Sequence, residues 1–112
     1  MKRLLLLTAL TATTAVAHHG WSEYDAQKPL NLTGTIESST YEQPHGTLRL
    51  KTADATWNVV LAPPSRMESR GLAKSMLAPG QKATVYGYPH RTKADEMRAE
   101  RVTIGEKTTE LR

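Results

Sequence analysis

Between Leu30 and Glu37 the chain alternates, with Leu30, Leu32, Gly34 and Ile36 set against Asn31, Thr33, Thr35 and Glu37. A period of two with β-branched residues on the polar side predicts a half-buried strand. Tyr41-Glu42-Gln43-Pro44-His45-Gly46 is turn chemistry, and Thr47-Leu48-Arg49-Leu50-Lys51 alternates again. A turn at Ala53-Asp54-Ala55 leads into a third strand over 56–61, and Pro63-Pro64 stops the sheet. Ser65 with Glu68 three residues on reads as a capping box for a short helix over 66–70, ended by Gly71. Residues 72–77 add a further helical turn before Pro79-Gly80. Residues 81–88 predict a fourth strand in which Gly87 marks a bulge or a close approach. After the loop 89–95, residues 97–104 give a fifth strand, and 108–111 a short sixth beyond Gly105.

Three strands, a short helix and two more strands is the order of a small OB-type barrel. The expected class is therefore all-β and mainly antiparallel, an OB-like barrel of five to six strands with one short helix between strands 3 and 4. An SH3-like barrel or an open six-stranded sheet fits the same pattern. Alternation places Leu32, Ile36, Leu48, Leu50, Trp57 or Val59, Val85, Val102 and Ile104 inside.

The first seventeen residues follow another logic. Lys2 and Arg3 precede an apolar stretch over 4–10, and Ala15-Val16-Ala17 is an A-x-A cleavage site. The stretch is short and broken by threonine, so it reads as a cleaved secretory signal peptide over 1–17 rather than a membrane span. One domain, 18–112, remains, and its residues 18–29 form a polar and aromatic arm.

The leader changes how the charge is read. Lys+Arg number 15 against 11 Asp+Glu, but Lys2 and Arg3 leave with the leader, so a sequence pI near 9.6 overstates the basicity of the exported chain. No Lys/Arg stripe survives, and nucleic acid is not an expected partner. Nor is stable membrane insertion after cleavage. The chain has no cysteine, hence no disulfide and no lipidated cysteine. A soluble periplasmic or secreted bacterial protein is the expectation.

Cleavage after Ala17 makes His18 the new first residue, with His19 beside it. A free α-amine and Nδ1 of the same histidine chelate one metal ion, and a further imidazole completes three nitrogens. Alternatively, the amine, the deprotonated 18–19 amide and the His19 ring act together. Such sets suit Cu(II), which prefers nitrogen ligands in tetragonal geometry. Both modes strengthen as pH rises through the titration of the α-amine, near 7.7–8.0. Cutting after Ala15 instead puts His18 third, itself a Cu(II)-chelating arrangement.

His45, after Pro44 in the first loop, is the preferred third imidazole; His90 sits in the loop between strands 4 and 5, on the same rim of such a barrel. Glu23, Tyr24 and Asp25 are candidates to orient an imidazole. Set against this, an exposed arm with two idle histidines and two ordinary turn histidines explains the same residues.

Other features have plainer readings. Trp21 and Tyr24 pin the arm to the barrel. Arg66, Arg70 and Lys74 read as a solvated basic face rather than an anion site. Met67 and Met76 are packing residues, and the Asn31-Leu32-Thr33 sequon is coincidence in a strand. Catalytic signatures are absent from the sequence: no cysteine nucleophile, no Ser-x-x-Lys, no His-Glu-x-x-His, no phosphate loop.

His18-His19-Gly20-Trp21, Tyr24-Asp25, Lys28-Pro29, Leu32-Thr33-Gly34-Thr35-Ile36, Pro44-His45, Pro79-Gly80 and Val85-x-Gly87 resemble a family of small exported bacterial proteins. Its mature chains begin His-His-Ser-Phe or His-His-Gly-Trp and carry an Asn-Pro-His turn. The resemblance covers nearly all of 18–112. That family is a domain of unknown function, so the resemblance implies fold and compartment but no activity. It also implies that the paired histidines and Pro44-His45 belong to the family pattern, with Gln43 in place of the usual asparagine. His90 lies outside it.

The leading expectation is a periplasmic OB-like module that binds copper through His18, His19 and His45, for sequestration or delivery. The competing one is a metal-free module that binds another envelope protein. Enzymatic activity is not expected, and copper redox chemistry ranks third.

Overall fold

The computed structural model describes residues 20–112. The expected leader and the arm histidines His18 and His19 lie outside the described residues. Six strands form: β1 (Leu30–Thr40), β2 (Thr47–Lys51), β3 (Thr56–Val60), β4 (Lys82–Pro89), β5 (Glu96–Ile104) and β6 (Lys107–Glu110). Among the described residues one α-helix, α1 (Pro64–Ser69), stands between β3 and β4, followed by a 3₁₀ turn over Lys74–Leu77. The sheet order is β3-β2-β1-β4-β5-β6, and a parallel pairing of β3 with β5 closes the first five into a barrel with β6 outside. This is the expected OB-like architecture; the open sheet is excluded by the β3–β5 seam.

β1 makes closure possible because it serves two neighbours. Its first half pairs with β4 and its second with β2, with Thr35 opposite both Lys51 and Lys82. At that crossing the Lys51 carbonyl occupies the space a Cβ on Gly34 would need, so only glycine lets the strands coil so closely. A register shift between Ile36 and Ser38 bends the strand further. Gly87 behaves as expected, lying at a register shift in β4 where the Arg98 carbonyl fills the space a Cβ would need.

The core follows the period-two pattern. Ile36, Leu48, Leu50, Val59, Val85 and Val102 are buried as expected, and of the alternatives at the third strand Val59 is inside while Trp57 is half-buried. Leu32 and Ile104 are corrected to partly buried residues packed against the core. Leu61, Met67, Leu72, Leu77, Met97 and Leu111 complete it. Met67 is fully buried, matching its reading as packing.

α1 starts differently from the expected capping box. Pro63 is the N-cap, Pro64 the first helical residue, and no side chain caps the end; instead the amides of Arg66 and Met67 donate to the Pro63 carbonyl. Proline brings no N–H to satisfy and a preset φ, so the helix starts there without Ser65. Of the basic residues Arg66, Arg70 and Lys74, the last two are exposed, as a solvated face requires, but the first two also have backbone partners. Arg66 donates to the Leu111 carbonyl, and Arg70 to the carbonyls of Glu110 and Arg112, so they clamp the end of β6. Among the described residues, no helix is long and apolar enough to cross a membrane.

Candidate functional site

The β1–β2 loop and the β4–β5 loop meet at one rim of the barrel, and the arm lies against the second. Residues 21–23 form a single 3₁₀ turn. Tyr24 then bridges to His90, the Asp25 amide donates to the Pro89 carbonyl, and the Arg91 amide donates to the Glu23 carbonyl. The Tyr24 side chain is 2% exposed, so the arm contributes a core residue, as its pinning role requires. A cleft of about 310 Å³ opens beside it, lined by Tyr24, Pro44, His45, Thr47, Val60, Lys93 and Glu96.

His45 is half-buried in this cleft. The loop that carries it is held to the barrel by the Gly46 amide on the Ala62 carbonyl and the Leu61 amide on the Gly46 carbonyl. The Gln43–Pro44 peptide is cis. Nη2 of Arg98 lies 3.4 Å from the His45 Nε2; a guanidinium has no lone pair, so the ring nitrogen is the acceptor.

Arg98 is only 7% exposed, and its Cζ stacks 4.3 Å from the centre of the Trp21 ring. Burial, foremost, lowers its pKa, and the neighbouring Arg112 and Arg66 add to this while Tyr24 opposes it. Arg112 also stacks on Trp21, at 4.4 Å, and donates to Glu100. Arm, β5 and the β1–β2 loop thus converge on one cation.

His90 has a different environment. Its Nδ1 accepts from the backbone amides of Thr92 (3.1 Å) and Lys93 (3.0 Å). Amides only donate, so Nδ1 carries the lone pair and the neutral ring holds its proton on Nε2. That Nε2 faces carboxylate oxygens of Glu23 at 3.9 Å and Glu96 at 4.0 Å. In this tautomer Nε2 carries a proton and offers no lone pair to a cation. Among the described residues, no three His, Cys, Asp or Glu side chains are placed to hold a metal ion.

The groups expected to orient a ligand imidazole are assigned otherwise. The ring of Tyr24 packs edge-on to His90 at 5.2 Å, and its hydroxyl donates to Glu96 Oε2 at 3.0 Å. Burial first, then that hydrogen bond and the Glu96 charge, hold the Tyr24 phenol well above the ordinary tyrosine range, so it remains a donor. Asp25 accepts from the Gln27 amide. The structure therefore brings His45 to the arm through Arg98 and Trp21, and gives Glu23 and Tyr24 to His90. Arg98, Trp21 and Glu96 carry the rim, and sequence reading assigned no rim role to Arg98 or Glu96. The nearest sequence signal for Arg98 was a cation one residue out of phase with buried Met97 and Ala99.

Residues 6–98 match the model of a protein family described as a family of unknown function, DUF6152. No curated protein matches the chain. Among solved structures, it is similar to a chain of the S. pombe Stn1–Ten1 complex, at 15% identity and a TM-score of 0.55, over 70% of this chain and 59% of that one. It is also similar to a chain of the complex of TiaS with a transfer RNA and ATP, at 17% identity and a TM-score of 0.53, over 80% of this chain and 20% of that one. At such identities the likeness is one of fold.

Proposed function

We propose that this chain, which belongs to DUF6152, a family of unknown function, is an exported module that holds one copper ion with His18, His19 and His45. The observation that supports this reading is the link Trp21–Arg98–His45, 4.3 Å and 3.4 Å long, which sets the described start of the arm beside the loop histidine. Two residues of chain reach about 7 Å. His19 stands two residues before Trp21, so the arm can bring an imidazole to His45. Copper suits an all-nitrogen set of amine and imidazoles, and export through a cleaved leader would supply the free amine.

The test is an intact mass of the exported protein followed by Cu(II) titration against a nitrogen-chelating competitor. A mass beginning at His18, with one copper held against the competitor and lost in the triple alanine variant at positions 18, 19 and 45, is the expected result. Equal copper affinity in that variant, with the fold intact, rejects the reading.

A second reading has its own observation. Taking copper at His45 Nε2 requires displacing the Arg98 guanidinium, a cost that a metal-free module avoids. In that reading the cleft beside Tyr24 and Lys93 receives a segment of another envelope protein.

A further inference from the structure

We infer that His90 is a proton-operated latch on loop 91–95, the lip of the rim cleft that carries Lys93. This deepens the proposal above, since it rests on the rim being the place where binding occurs.

The two ring nitrogens of His90 hold different parts of the molecule. Nδ1 holds the loop: it accepts from the Thr92 amide at 3.1 Å, the Lys93 amide at 3.0 Å and lies 3.3 Å from the Thr92 hydroxyl. Nε2 faces the arm and β5 through Glu23 and Glu96. The ring itself is wedged edge-on against Tyr24 with its side chain 9% exposed.

The charged groups around it sort the same way. On the arm side Glu23 faces the ring, and Tyr24 stays a neutral donor to Glu96. From β5 Glu96 faces it, and Arg98 lies beyond Tyr24. From the loop, Lys93 supplies its amide while the Arg91 side chain reaches away to the Ser22 carbonyl.

A proton from solvent can enter only at Nδ1, because Nε2 already carries one. At Nδ1 it meets two N–H donors head on, and both loop hydrogen bonds are lost. The same proton makes the ring a cation between two carboxylates, so the contacts at Nε2 strengthen. Acid therefore moves the grip of His90 from the loop to the arm. The arm stays seated, with the Asp25 amide on the Pro89 carbonyl and the Arg91 amide on the Glu23 carbonyl, while residues 92–94 lift between that tie and the Asp95 carbonyl, which holds the Asn58 amide, and withdraw Lys93 from the cleft.

The experiment is amide hydrogen exchange by NMR on the protein and two variants, at about pH 8 and about pH 5. Protection factors are corrected for intrinsic exchange. In the wild type the Thr92 and Lys93 amides are expected to lose protection about tenfold or more on acidification, while the Asp25, Leu48 and Val85 amides keep theirs. His90→Asn offers an amide oxygen near the position of Nδ1 that does not titrate, so the loop is expected to stay protected at both pH values. His90→Ala offers no acceptor and leaves the loop unprotected at both. Loop protection in the wild type that is unchanged at the acid end overturns the latch. So does a loss in His90→Asn equal to that of the wild type. Cu(II) titration of the wild type judges the metal reading separately: absent copper binding with intact loop behaviour rejects copper and leaves the latch standing.

Discussion

Arg98 donates to His45 across 3.4 Å from a position that is nearly closed to solvent. A fixed positive charge beside a candidate copper ligand works against the ion, and removing it should help. In Arg98→Gln the Cu(II) affinity is expected to rise several-fold, the direction required by loss of like-charge repulsion. The same variant should lose about 1–3 kcal/mol of stability, from the Trp21 stack and the hydrogen bond. Competitive titration and urea unfolding measure the two effects. Copper affinity unmoved by the change would place the ion away from His45.

Tyr24 sets an alkaline limit. Its phenol is held above the ordinary range by burial and by Glu96, so the folded chain keeps the proton after the unfolded chain has lost it. That contribution is complete below the unfolded value of about 10 and declines as pH rises beyond it. Denaturant midpoints should therefore fall above about pH 10, with Tyr41 and Tyr88, also raised chiefly by burial, adding to the slope. In Tyr24→Phe the fall should be shallower, and stability at neutral pH lower by about 1–2 kcal/mol for the lost bond to a carboxylate.

Gly87 and Gly34 leave no room for a methyl group, since the backbone carbonyls of Arg98 and Lys51 fill the space. Gly87→Ala pushes β4 from β5 at the register shift and is expected to cost about 1–3 kcal/mol. Thermal denaturation should show a drop of several degrees. An unchanged midpoint would mean that the bulge yields freely.

Arg66 and Arg70 hold the carbonyls of residues 110–112. Replacing both with alanine should loosen β6 selectively. Amides of β6 are expected to exchange faster while Val85 and Leu48 in the closed barrel do not change. The opening free energy of the β6 amides should drop by about 1–2 kcal/mol, and Leu111, which packs at the edge of the core, loosens with them.

How much of this was legible depends on the distance over which each residue is determined. Alternation around Ile36, Leu48, Leu50 and Val85 is local, and it placed those strands and their inner faces. The barrel order followed from the sequence of elements. Arg98 shows the other case. Residues 97–99 are all buried, which breaks the period of two, because the outward side of β5 at Arg98 is covered by Trp21 of the arm. No local window contains that contact. The same applies to Glu96, whose partner Tyr24 lies 72 residues away. Sequence places His90 on the rim but leaves its role open, because that role depends on which of its nitrogens meets an amide. That is settled by the conformation of loop 90–95, not by its composition. The proline start of α1 was in plain view and was missed because a serine–glutamate spacing suggested a cap.

The seam between β3 and β5 has a kinetic consequence. It joins Asn58 to Glu96 in parallel, and no turn next to it in the chain can nucleate it. The hairpin of β2 and β3 can form early, but it gains a closed neighbour only after the helix and β4 are in place. Remote pairings such as this one and β1 with β4 raise contact order, and higher contact order means slower folding. Until the seam shuts, the facing edges of β3 and β5 are open strands, able to pair with another chain. The interval before closure is therefore when this barrel is exposed to aggregation, and its rate of closure sets how long that interval lasts.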